Sequence, residues 1–77
     1  MIWYMVEIKC FATLKRYAPK DGKLKYSQGM KVSDVIKILN IPKEEVKIVF
    51  VNGAHASMDT ELKDGDRLGI FPAIGGG

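Results

Sequence analysis

The chain closes on Phe71-Pro72-Ala73-Ile74-Gly75-Gly76-Gly77, an apolar anchor followed by three glycines and a terminal carboxylate. Glycine has no Cβ, so such a tail can lie extended in a channel too narrow for any side chain. Gly75 and Gly76 are therefore the threading residues, and Gly77 is the group that could enter another protein's active site. A terminal carboxylate with a pKa near 3.5 is ionised at neutral pH and is a poor electrophile. Acyl transfer through Gly77 requires a better leaving group, which ATP can supply as an acyl-adenylate. The chain holds no Gly-x-x-x-x-Gly-Lys phosphate loop and no acidic metal cluster, so a partner must perform that activation. Docking is expected through apolar anchors beside the tail, namely Phe71, Pro72 and Ile74, with Arg67 flanking them. Phe71 has a second reading as a core residue of the last strand.

The remaining reactive side chains point to structural duties. Cys10 is the single cysteine and falls on the apolar side of an alternating segment, which suits a small core hydrophobe better than a reactive thiol. His55 is the single histidine and has no second ligand or nucleophile at a recognisable spacing, so it is read as a loop histidine. Met30 and Met58 read as packing or loop residues, and Asp64 and Asp66 flank Gly65 as turn residues do. No metal site is expected.

The elements that position the tail follow from periodicity. Val6 to Ala12 alternate, with Val6, Ile8, Cys10 and Ala12 on one side and Glu7 and Lys9 on the other, as in a half-buried strand. A strand exit with a short helical turn follows over Phe11–Ala18, closed by Pro19 and Asp21-Gly22, and a hairpin returns through Lys23–Tyr26. A helix is expected from Ser33 as cap, with Val32, Val35, Ile36 and Leu39 as its buried stripe and Asn40 with Pro42 as its stop. Val46–Val51 reads as an interior strand, Asn52-Gly53 as a hairpin turn, and Arg67–Phe71 as the last strand, with pairing ended by Pro72. The order is β-β-α-β-(short β)-β.

Seventy-seven residues make one domain, 1–77, with folding removing about 60% of the unfolded chain's surface from water. Apolar residues at 47% and charged residues at 27% fit a soluble globule. One cysteine gives no internal disulfide, and the short apolar start Met1–Val6 has no basic flank. A cytoplasmic protein without signal peptide or membrane span is therefore expected. The net charge of +3 invites nucleic-acid binding, but Asp21 interrupts the lysines and no aromatic platform is interleaved, so a solvated face is the better reading.

Several stretches together resemble the ubiquitin-like β-grasp sulfur carriers, the small subunit of molybdopterin synthase and its thiamine-pathway relative. They are Val6-Glu7-Ile8-Lys9-Cys10-Phe11-Ala12-Thr13-Leu14, Val32-Ser33-Asp34-Val35, Val49-Phe50-Val51-Asn52-Gly53, Leu62-Lys63-Asp64-Gly65-Asp66-Arg67-Leu68 and the terminal glycines. The likeness begins after Met5, and Phe71-Pro72-Ala73-Ile74 resembles the molybdopterin branch more, although Ala73 stands where a second proline is common. The resemblance implies an α+β β-grasp fold, with a mixed sheet of four to five strands on one main helix and a flexible Gly tail. It further implies an E1-like partner that adenylates Gly77 using ATP, a persulfide that leaves a thiocarboxylate there, and a large synthase subunit, joined in a heterotetramer, that takes the sulfur. On this reading the chain binds no cofactor and is a carrier, not itself an enzyme. The alternatives are sulfur transfer to a thiazole or a tRNA base, and a protein modifier conjugated through Gly77. A β-grasp RNA-binding module is a further alternative, while an iron–sulfur protein is excluded by the cysteine count.

Overall fold

Residues 4–73 are described by the structure, a computed structural model. Strand β1 (Met5–Cys10) buries Val6, Ile8 and Cys10 and exposes Glu7 and Lys9, so the alternation in the sequence becomes the two faces of a sheet. β1 pairs antiparallel with β2 (Lys23–Lys25) and parallel with β5 (Arg67–Pro72); β3 (Val46–Val51) pairs antiparallel with both β5 and β4 (Ala54–Ala56). The sheet order is β2-β1-β5-β3-β4, which places the tail-bearing strand at the centre. The edge strands are only three residues each, and β2 carries Lys23 and Lys25, which discourages pairing with another chain. This is a small α+β β-grasp, as expected, with five strands and one main helix.

Helix α1 (Val32–Ile38) contributes Val32, Val35 and Ile36 to one core shared with Val6, Ile8 and Cys10 of β1, Val49 of β3, and Leu68 and Ile70 of β5. Its cap differs from the expectation at Ser33. The cap is Lys31, two residues earlier, and Asp34 in the first turn reaches back to accept the Lys31 backbone N–H at 2.9 Å. Its stop is as read: Asn40 adopts φ 59, and the Ile41 and Asn40 N–H groups donate to the Ile36 and Lys37 carbonyls.

Two further boundaries moved. β1 ends at Cys10 because Ala12 turns left-handed at φ 51 and opens a 3-10 helix, Ala12–Tyr17, leaving Ala12 exposed instead of inward. That short helix supplies Leu14, fully buried, which the periodicity had not marked as core. β5 runs through Pro72, which stands opposite Val46 across an irregularity in β3, where a residue without an N–H can be tolerated.

Asn52 and Gly53, at φ 54 and 83, form the two-residue loop between β3 and β4 that the Asn-Gly pair predicts. Asn52 does more than turn the chain. Its amide nitrogen donates to Asp66 Oδ1 at 2.8 Å, and its amide oxygen accepts the Arg67 N–H at 3.0 Å. Asp66 Oδ2 accepts the Lys63 N–H at 2.7 Å, and Asp64 accepts the Met5 N–H at 3.0 Å. The two turn carboxylates thus fix the start of β5 against β1 and β3.

Candidate docking face and carrier tail

Strand parity divides β5 into two faces. Leu68, Ile70 and Pro72 are buried, while Arg67, Gly69 and Phe71 look away from the helix. Phe71 is therefore not a core residue. Its ring lies on that of Phe11 with centroids 4.2 Å apart and planes within 5°, and the Phe50 ring meets it edge-on at 5.5 Å. His55 continues the row, edge-on to Phe50 at 5.6 Å, from an exposed position on β4 and not from a loop. Pairs of this geometry are each worth about 0.5–1.5 kcal/mol beyond their burial, so they set the rings in place before any partner arrives.

Between the rings the outer face dips to Gly69, which pairs with Lys9 on one side and Phe50 on the other. The depression is about 320 Å³, walled by the three phenylalanines and rimmed by Lys9 and Arg67. Arg67 Nε stands 3.8 Å from Glu7 Oε2, with both side chains more than half exposed, so this pair adds little to stability. Pro72, by contrast, is buried, so its ring is not offered on this face. Ala73 is the last described residue, and its N–H donates to the Glu45 carbonyl at 3.2 Å. Ile74, Gly75, Gly76 and Gly77 lie outside the described residues.

Sequence reasoning named Phe71 and Arg67 but missed Phe11, Phe50 and Gly69 as parts of one surface. Parity could have found the last two, since Val49 and Ile70 face the core and their neighbours must face away. Parity also puts Phe11 on the outer side with Glu7 and Lys9, but its stacking on Phe71 follows from the pairing of β1 with β5, which no local pattern records.

Elsewhere the chemistry is quiet. Cys10 is buried, and burial raises its thiol pKa, so the thiolate is disfavoured. Among the described residues no three His, Cys, Asp or Glu side chains gather as a metal site, and no helix is long and apolar enough to cross a membrane. A larger depression beside α1, about 510 Å³, is lined by Ile36, Ile41 and Met58 with two lysines and one carboxylate, without an acid–base pair.

Comparison with known proteins is consistent across the chain. The model of the ThiS family matches residues 8–77. A Pyrococcus furiosus protein assigned as molybdopterin converting factor, subunit 1, is 30% identical, with a TM-score of 0.73 over 92% of this chain and 99% of its own. The small archaeal modifier protein 1 of Methanosarcina acetivorans is 26% identical, with a TM-score of 0.65 over the whole of both chains. At 23% identity, a complex of subunits 1 and 2 of molybdopterin-converting factor from Helicobacter pylori shares the fold, with a TM-score of 0.57 over 95% of this chain and 99% of the matched one.

Proposed function

Because this chain belongs to the ThiS family of ubiquitin-like sulfur carriers, we propose that Gly77 is adenylated by an E1-like enzyme and becomes a thiocarboxylate that donates sulfur for molybdopterin synthesis. The Gly77 carboxylate attacks the α-phosphorus of ATP and pyrophosphate leaves. A persulfide sulfur on the activating machinery then attacks the acyl carbon and expels AMP. A second thiolate cleaves the resulting S–S bond, leaving the thiocarboxylate on Gly77 and a disulfide on the machinery. Cys10 does not serve as that thiolate, since it is buried and its thiol is held protonated. The chain contributes the carried acyl group and the docking face, and the catalysis is the partners'.

The observation that carries the pathway is the 30% identity to the Pyrococcus furiosus subunit over 92% of the chain. The Phe71-Pro72-Ala73-Ile74 run before the glycines adds to it. On this reading the large subunit of molybdopterin synthase docks on the outer face beside β5, in a heterotetramer, with Phe71, Arg67 and Ile74 at the contact. The fold shared with the Helicobacter pylori subunit complex supports that kind of assembly. A second reading is favoured by the likeness to the Methanosarcina acetivorans modifier: the same adenylated Gly77 passes to a lysine and forms an isopeptide.

Intact mass after incubation with ATP, an E1-like enzyme and a sulfur donor tests the proposal. A gain equal to one oxygen replaced by sulfur, in the full chain and not in one lacking Gly77, is expected. A chain left unmodified by an adenylating enzyme that is active on other carriers overturns sulfur carriage through Gly77, and a ladder of lysine conjugates in cell extract favours the second reading.

A further inference from the structure

Gly69 sits in the middle of β5, where a glycine weakens a strand by roughly 0.5–1 kcal/mol relative to alanine and needs a reason. The backbone does not supply one, because Gly69 is absent from the residues with positive φ. Packing does not supply one either: a Cβ built there would stand 3.6 Å from Phe11 Cε2 and 3.6 Å from Phe71 Cε1, ordinary contact distances. The fold would accept alanine. What a Cβ would take away is the floor of the depression between the three phenylalanines.

We infer that Gly69 keeps a socket open for one aliphatic side chain of the protein that docks beside the tail, a side chain carried in an acidic setting that meets Lys9 and Arg67. The inference rests on the docking reading above and names the feature that would select the partner. The socket lies on β5, the strand that in sequence leads directly into the tail. Phe11 and Phe71 cover each other's faces and turn ring carbons toward Gly69, so the two walls they form are ring edges, which suit a rounded aliphatic group better than a planar base. Lys9 has no ion-pair partner among the described residues, and Arg67 has only the long, exposed contact with Glu7, so both cations can meet a partner's carboxylates.

The test is calorimetric titration of the wild-type chain, Gly69→Ala and Gly69→Val with two purified probes, the large subunit of molybdopterin synthase and the E1-like enzyme, alongside the Tm of each variant. Gly69→Ala is expected to hold or raise the Tm while weakening binding about tenfold, with a larger loss for Gly69→Val, because added methylenes overpack a filled site. Wild-type binding to the E1-like enzyme alone sinks the molybdopterin reading but still scores the socket on that enzyme. Unchanged or tighter binding by both variants overturns the socket and leaves the carrier reading standing. A loss of affinity that comes with a lowered Tm assigns the effect to the fold and overturns it too. Binding to neither probe overturns both, and a single-stranded oligonucleotide whose binding disappears in Phe71→Asp reassigns the face to nucleic acid.

Discussion

Phe71 and Pro72 are neighbours in sequence with opposite surroundings: the phenylalanine ring lies out on Phe11, and the proline is buried opposite Val46. On the proposed reading the outward residue serves recognition, while the inward one packs at the end of the strand from which the tail departs. Ile74→Asp tests how far recognition extends past the anchor. It is expected to leave the Tm unchanged while weakening partner binding at least tenfold, as loss of a desolvated apolar anchor does; equal affinity by calorimetry removes Ile74 from the contact. Cys10 marks the other extreme. Its buried thiol is expected to resist alkylation by iodoacetamide at neutral pH in the native protein and to react promptly in denaturant, and rapid native labelling would refute its structural assignment. Because burial raises its pKa, its contribution to stability is full below the ordinary thiol pKa and is lost as pH rises through the raised one. Denaturant midpoints taken up the alkaline range should therefore fall less in Cys10→Ala than in the wild type.

At the scale of the element, the start of β5 is tied down by a side chain from the loop between β3 and β4. Asn52 couples the β3–β4 loop to Asp66 and Arg67 through both ends of its amide. Asn52→Gly keeps the left-handed backbone and removes only those bonds, so a loss of about 1 kcal/mol is expected in urea unfolding. An unchanged midpoint would show that solvent replaces them fully. The Asn-Gly pair announced the hairpin in the sequence, since few other dipeptides accept two left-handed residues. Its second duty was not legible there, because Asp66 and Arg67 come 14 and 15 residues later and only the register of β3 on β5 brings them near. The helix shows the same division. Val32, Val35 and Ile36 declared their buried stripe by spacing, whereas Asp34 rather than Ser33 holds the first turn, a choice between adjacent polar residues that side-chain reach decides.

At the scale of the molecule, the small core depends on side chains from outside the regular elements. Leu14, in a short 3-10 helix, and Leu62, in a loop, are both essentially inaccessible. Leu14→Ala is expected to cost about 2–5 kcal/mol, enough to unfold much of a domain this small near body temperature, and a Tm within a few degrees of the wild type would show that the site collapses around the change. Thermal unfolding followed by circular dichroism measures it.

Local chemistry determined the strands with their inward sides, the helix stripe, the Asn52-Gly53 loop and the Gly75-Gly76-Gly77 tail, since alternation, helical spacing and backbone permissiveness are properties of neighbouring residues. Only the tertiary structure decided that β1 and β5 lie parallel at the centre of the sheet, that Phe11, Phe50 and Phe71 close on one another, and that Gly69 lies at the bottom between them. Periodicity says which way a side chain faces; which other strand it faces beside is set by pairing between segments as much as 60 residues apart, and no local pattern records that.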